Sequence, residues 1–229
     1  MKKAKENPVY PGWHRVAVAG KTALDDAVWD SLGKMQLDFM VGHGLQPQHK
    51  FLEVGCGALR GGIHFIRYLN DHQYYGLDKE PALIDAGVSV ELPKAGLCDV
   101  KANFGVAPDV DLSFVPPDVS FDFAWSMAVF IHIGQDMVEK AITRVLERMR
   151  SGGLFFATFH VSRDRMIHTS RPLDNHNAWR KNEHWSVEYP FAALREMARG
   201  AGGEAKYIGA WGHPANKRNR QMMAMFSKP

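Results

Sequence analysis

The chain has 229 residues, 45% of them hydrophobic, a formal charge of +3 and two cysteines. That is enough for one domain with a full core, too little charge to imply nucleic acid, and too few cysteines for a disulfide framework or zinc-ligand spacing; a reducing, cytoplasmic compartment fits. The charged start from Met1 to Glu6 has no apolar run behind it, and no stretch nears the roughly 18 apolar residues of a membrane span, so neither targeting nor a membrane partner is expected.

Residues 7–21 hold Pro8, Pro11, Gly12 and Gly20 beside Tyr10 and Trp13, which reads as an arm without regular structure. Thr22 offers a helix N-cap, and Leu24, Val28, Leu32, Met35 and Phe39 keep a helical stripe until Gly42 and Gly44 stop it. Residues 1–45 are therefore expected to be an arm and cap helix, ahead of a main domain over 46–229.

The main domain opens on a short apolar run from Lys50 to Val54, the turn Gly55-Cys56-Gly57, and helically spaced apolar residues after Gly62. Strand, glycine turn and helix together bring bare backbone N–H groups and a positive helix end to a ligand. A dinucleotide fingerprint starting at Gly55 needs a third glycine at position 60, where this chain has Arg60. A second strand, Tyr74 to Asp78, ends in an acid 21 residues beyond Gly57. In a right-handed βαβ unit that carboxylate lies beside the glycine turn, where it can accept from both ribose hydroxyls. The competing reading is an N-cap for a helix starting near Pro81.

Cys98 to Asn103 is the best third strand, followed by Phe104 and Gly105, and Phe121 to Ser126 is the fourth. Gln135 to Arg150 carries a clean amphipathic stripe, Ser151-Gly152-Gly153 ends it, and Leu154 to His160 reads as a buried fifth strand. Residues 161–187 are polar and too long for an ordinary connection. Helix resumes near Pro190, with Phe191, Leu194 and Met197 inward, and two short strands, Lys206 to Ala210 and Gln221 to Phe226, close the chain as an antiparallel pair. The fold expected is α/β: a doubly wound, mostly parallel seven-stranded sheet with a C-terminal antiparallel hairpin, an N-terminal helical cap and an insertion after strand five.

Glu53-x-Gly55-x-Gly57 closing a first strand resembles motif I of the class I, seven-strand S-adenosylmethionine-dependent methyltransferases, and Phe121-Asp122-Phe123 resembles their motif IV. The resemblance runs from about Phe51 to Phe226. It implies S-adenosylmethionine as cofactor and S-adenosylhomocysteine as product. It places Glu53 near the methionine amino end and Asn103 and Phe104 at the adenine, where an ordinary turn is the competing reading. Arg60 can meet the methionine carboxylate or equally a surface acid, Asp78 is placed for the ribose, and Ser126 and Met127, at the carboxyl end of strand four, reach the crevice. Cys56 and Lys79 fall beside the glycine turn and Asp78. It makes the insertion 161–187 acceptor-binding.

Methyl transfer from a sulfonium rests on positioning donor and acceptor. A hydroxyl acceptor also needs a base near neutral pH, and His132 and then His160 stand where strands four and five end; a histidine merely hydrogen-bonded in the wall competes for each. His168, His176 and His184 match no known zinc spacing, so no metal is expected. The resulting expectation is O-methylation of a small-molecule or sugar hydroxyl. A nicotinamide-dependent oxidoreductase, an idle cofactor-binding partner, and a methyltransferase of protein carboxylates or RNA, using the basic cluster Lys217 to Arg220, are the alternatives.

Overall fold

The computed structural model of the chain describes residues 26–162, 167–170, 185–211 and 221–229. Helix α1 (Asp26–Gly42) precedes β1 (Phe51–Val54), and the glycine turn leads into α2 (Gly62–Tyr68) and β2 (Tyr74–Asp78). Helix α3 (Pro81–Ala86) widens into a π-helical turn, Gly87–Glu91, and closes in α4 (Leu92–Lys94). Next come β3 (Asn103–Val106), β4 (Phe121–Ser126), α5 (Gln135–Arg148) and β5 (Met149–Ser162). The chain finishes with β6 (Ile167–Ser170), β7 (Trp185–Pro190), α6 (Phe191–Gly200), β8 (Glu204–Gly209) and β9 (Gln221–Ser227).

Strand β1 lies between β2 and β4 and is parallel to both, β3 is parallel outside β2, and β5 is parallel beside β4. On the far side of β5 the direction reverses: β9 is antiparallel to β5, and β8 to β9. The main sheet is therefore β3-β2-β1-β4-β5-β9-β8, the doubly wound order with a terminal antiparallel pair that the sequence leads one to expect. Its order reverses between β1 and β4, so a crevice opens there at the carboxyl ends of the strands.

Nine strands, rather than seven, join the sheet among the described residues. The extra two, β6 and β7, come from the insertion. β5 runs 14 residues and continues past the end of β4, whose last paired residue is Ser126 against Ala157. Backbone groups left unpaired beyond that point would be costly to bury. Strand β7 takes them, pairing Glu188 with His160 in parallel, and β6 pairs antiparallel with β7.

The sheet is buried on both faces. Leu52 and Val54 of β1 pack with Val138, Ile142 and Val145 of α5. Phe51 faces the other way, onto Met40 of α1 and Phe65 and Ile66 of α2. Glu53 alternates with Leu52 and Val54, which puts its carboxyl on the α1–α2 side, 4% exposed.

Two expectations need correction. The stripe expected on the cap helix is turned by about one residue: Leu32, Met35 and Phe39 are half-buried, while Trp29, Gly33, Gln36 and Met40 are buried; Leu24 lies outside the described residues. The contact line contains a glycine and an amide because α1 comes unusually close to the loop. A Cβ at Gly33 would stand 2.1 Å from the Arg60 carbonyl oxygen and 2.5 Å from His64 Cδ2. Gly33→Ala is therefore expected to lift α1 and cost about 2 kcal/mol, lowering Tm by roughly 4–8 °C, as thermal unfolding would record.

The third strand begins later than expected. Residues 98–99 form a turn and 100–102 run on without regular structure, held by the Lys101 N–H donating to Asp71 Oδ1 and the His72 N–H donating to the Lys101 carbonyl. The strand proper starts at Asn103.

Candidate functional site

Gly55 and Gly57 both take left-handed φ, +79° and +53°. The Gly57 N–H donates to Asp78 Oδ2 at 2.9 Å, and the Glu80 N–H donates to Asp78 Oδ1 at 2.9 Å. Asp78 is thus tied to the glycine turn and to its own loop, not capping α3, whose N-cap is Glu80 with no side-chain bond. It is 8% exposed. Burial raises its carboxyl pKa, and the N–H groups of Glu80 and Gly57 pull it back. Each oxygen keeps a further lone pair, so a 1,2-diol is a fitting guest. Lys79 beside it is exposed.

At Gly55 the fold itself excludes a side chain, because a Cβ there would lie 2.2 Å from Val129 Cγ2. The turn after β4 sits directly on the end of β1. Two non-glycine residues around this crevice are also left-handed: Leu59 at φ +65° and Ala128 at φ +59°. Such conformations cost of order 1 kcal/mol or more each and collect at working sites. Leu59 is held there by complete burial, and Ala128 by its N–H donating to Thr158 Oγ1 at 2.8 Å.

Beneath α1 lies a set of buried polar groups. The Tyr74 hydroxyl donates to Glu53 Oε2 at 2.5 Å, and the Trp125 indole N–H donates to Gln36 Oε1 at 2.7 Å. Burial pushes the Glu53 pKa up to about 8, against the lowering effects of the Tyr74 hydrogen bond and the Arg60 charge. Arg60 lies 5.9 Å from the Trp29 ring centroid and places Nη2 3.8 Å from Met127 Sδ. Burial lowers its pKa, and the Glu53 charge opposes that. Arg60 Nε and Ser126 Oγ are buried without a hydrogen-bond partner among the described residues, and two such groups beside a glycine turn fit a polar ligand.

The structure gathers Glu53, Gly55, Cys56, Gly57, Arg60, Asp78, Ser126 and Met127 around one crevice. Cys56 is 4% exposed and burial holds its thiol neutral. Asn103 and Phe104 are not part of it. Asn103 pairs with Tyr75 and donates to the Tyr74 carbonyl, whereas Val106 stands opposite Asp78, three residues or about 10 Å further on. The chain beside Asp78 is Val106–Ala107, whose Ala107 N–H donates to the Asp78 carbonyl.

His132 is exposed on the turn between β4 and α5, and His160 is half-buried within β5 rather than at its end. The hairpin connects them. The Val187 N–H donates to the Ile131 carbonyl and the Tyr189 hydroxyl to the Ile133 carbonyl, while neighbouring Glu188 pairs with His160. His176, His184 and the basic cluster 217–220 lie outside the described residues. Among the described residues, no group of three His, Cys, Asp or Glu is placed to hold a metal, and no helix is long and apolar enough to cross a membrane.

Gln36 and Tyr74 join this buried polar set and carry no motif. Their signal is a polar residue on a buried helix line and a tyrosine on the neighbouring strand, two residues off the acid's own register partner Gly76.

Residues 51–153 match the family described as "Methyltransferase domain". Three solved structures show the same fold. The magnesium protoporphyrin IX methyltransferase of Synechocystis PCC 6803, with bound S-adenosylmethionine, has a TM-score of 0.61 at 12% identity, over 92% of this chain and 87% of that one. An S-adenosylmethionine-dependent methyltransferase from Clostridium acetobutylicum gives 0.62 at 11%, over 87% and 92%. The CcbJ methyltransferase of Streptomyces caelestis gives 0.61 at 16%, over 86% and 95%.

Proposed function

We propose that this chain is a class I S-adenosylmethionine-dependent methyltransferase, and that the methyl acceptor is a hydroxyl of a small molecule or sugar, deprotonated by His132 or, second, by His160. The observation that supports this is the hairpin junction: β7 ties the turn carrying His132 to the strand carrying His160, on the acceptor side of the crevice. Residues 161–187 then form the acceptor-binding insertion on a domain spanning 46–229, with 1–45 as its cap. A cytoplasmic setting and a partner that is not nucleic acid belong to the same reading.

When bound, S-adenosylmethionine supplies a sulfonium-linked methyl group. The chain's own task is to line up the acceptor oxygen with that methyl and to receive the hydroxyl proton on an imidazole nitrogen. Asp78 and the glycine turn fit the ribose, while Arg60 and Glu53 fit a charged amino-acid end. Ser126 and Met127, at the end of β4, face the place where donor and acceptor meet.

Labelled S-adenosylmethionine offered with panels of hydroxyl, amine and carboxylate acceptors tests the class. Transfer confined to hydroxyls is expected, with His132→Ala lowering kcat by roughly 100- to 10,000-fold and leaving cofactor affinity unchanged. Transfer to amines or carboxylates alone, or an unaltered kcat in both His132→Ala and His160→Ala, would overturn the reading.

A further inference from the structure

Two buried side-chain oxygens from distant parts of the chain converge on Gly61 beneath α1. Gln36 and Glu53 are 2% and 4% exposed. A Cβ built on Gly61 would lie 2.8 Å from Gln36 Oε1 and 3.0 Å from Glu53 Oε1, so both oxygens converge on a loop position that only glycine can occupy.

The orientation of the Gln36 amide is fixed from both ends. Its Oε1 accepts from the Trp125 indole at 2.7 Å, and its Nε2 donates to the Leu32 carbonyl at 3.2 Å. Flipping it would set an NH₂ against the indole N–H, since indole nitrogen only donates. The amide therefore presents oxygen, not N–H, towards Glu53. The Tyr74 hydroxyl is engaged with the other Glu53 oxygen, Oε2. Once Glu53 gives up its proton, Oε1 becomes an acceptor beside Gln36 Oε1, and the pair then suits a donor with several N–H groups.

The loop supplies the opposite charge. Arg60 Nε is buried without a partner among the described residues, and its Nη2 reaches only the weak acceptor Met127 Sδ. A cation and a pair of acceptors complement a zwitterion, and the cofactor carries one such group, its α-amino-acid end. Asp78 and the glycine turn already fit the diol.

We propose that Gln36 of the cap helix is a cofactor-binding residue that, with Glu53, accepts the ammonium of the amino-acid end, while Arg60 takes its carboxylate and Trp125 acts as the positioning residue that fixes the Gln36 amide. This rests on the S-adenosylmethionine reading and extends the site beyond residues 51–153. It makes α1 a working part of the site, so that loading the cofactor and seating the cap are coupled.

The test compares S-adenosylhomocysteine with 5′-methylthioadenosine, which keeps adenine and ribose but lacks the amino acid. Calorimetric titration of Gln36→Ala is expected to show at least tenfold weaker S-adenosylhomocysteine binding and less than a twofold change for 5′-methylthioadenosine. Trp125→Phe, which keeps a ring but removes the N–H, is expected to shift the first ligand in the same direction by less. It also decides the matter by the same comparison if Gln36→Ala does not fold. Equal losses for both ligands would mean a merely structural role and would overturn the proposal, as would no loss for either. Failure of the wild-type protein to bind either ligand would sink the cofactor reading itself.

Discussion

Asp78→Ala is expected to weaken binding of S-adenosylmethionine and S-adenosylhomocysteine by about 100-fold or more, equivalent to about 2.7 kcal/mol. The carboxylate is 8% exposed and accepts from the N–H groups of Gly57 and Glu80, both at 2.9 Å. Hydrogen bonds to a charged group are worth about 1.5–3 kcal/mol each, so its loss both frees the glycine turn and removes the acceptor for the ribose hydroxyls. Asp78→Asn is expected to be nearly as harmful. Each Asp78 oxygen already faces a backbone donor, so the amide NH₂ must meet one of them donor to donor. Calorimetric titration checks both variants, with thermal melts to confirm folding; an affinity within about threefold of wild type would remove Asp78 from the cofactor site.

That Asp78 could be placed from sequence follows from short-range geometry. A strand, a glycine turn and a helix of ordinary length fix where the next parallel strand ends, so the Gly57–Asp78 contact was readable from spacing. Strands buried on both faces, such as Phe121–Ser126, also announce themselves by dense apolar residues, here interrupted only by the half-buried Asp122 before the terminal Ser126. Asn103 and Phe104 were misplaced because β3 has only four residues and borders only β2. Its sequence has no strong apolar period, and the turn before it is held by Asp71, 30 residues away.

The cap helix misled for a different reason. Apolar spacing pointed to Leu32, Met35 and Phe39, but the line in contact with the loop is set by how closely two backbones approach. Gly33 and Gln36 are selected there for size and hydrogen bonding, which a hydrophobic stripe does not report. Leu59 carries no sequence signal for its left-handed φ, because its side chain is held by burial between elements brought together only in the fold. Likewise, β6 and β7 exist because β5 outruns β4, a length mismatch visible only once the strands are paired.

Glu53→Gln is expected to stabilise the protein at alkaline pH. In the folded chain burial raises the Glu53 pKa from 4.5 to about 8. Between those values the native state keeps a proton that the unfolded chain releases, so unfolding free energy falls as pH rises. The contribution is fully present below about pH 4.5, is lost progressively up to about pH 8, and changes no further above it. A difference of that size corresponds to about 3–5 kcal/mol. Asp78 and Tyr74 are raised by burial as well, so the wild-type curve alone mixes several groups, and the difference between wild type and Glu53→Gln isolates this one. Denaturant unfolding at pH 5, 7 and 9 should show the two proteins close together at pH 5 and the variant increasingly more stable towards pH 9. Curves that stay parallel would mean that Glu53 is already ionised in the folded chain, held by Arg60 as an ion pair. A carboxyl that lowers stability at neutral pH has no structural reason to stand in a buried strand among Phe51, Tyr74 and Trp125, where glutamine would fill the same volume. Its placement is explained by a cationic ligand that ionises it, and the same variant should then lose cofactor affinity while gaining stability.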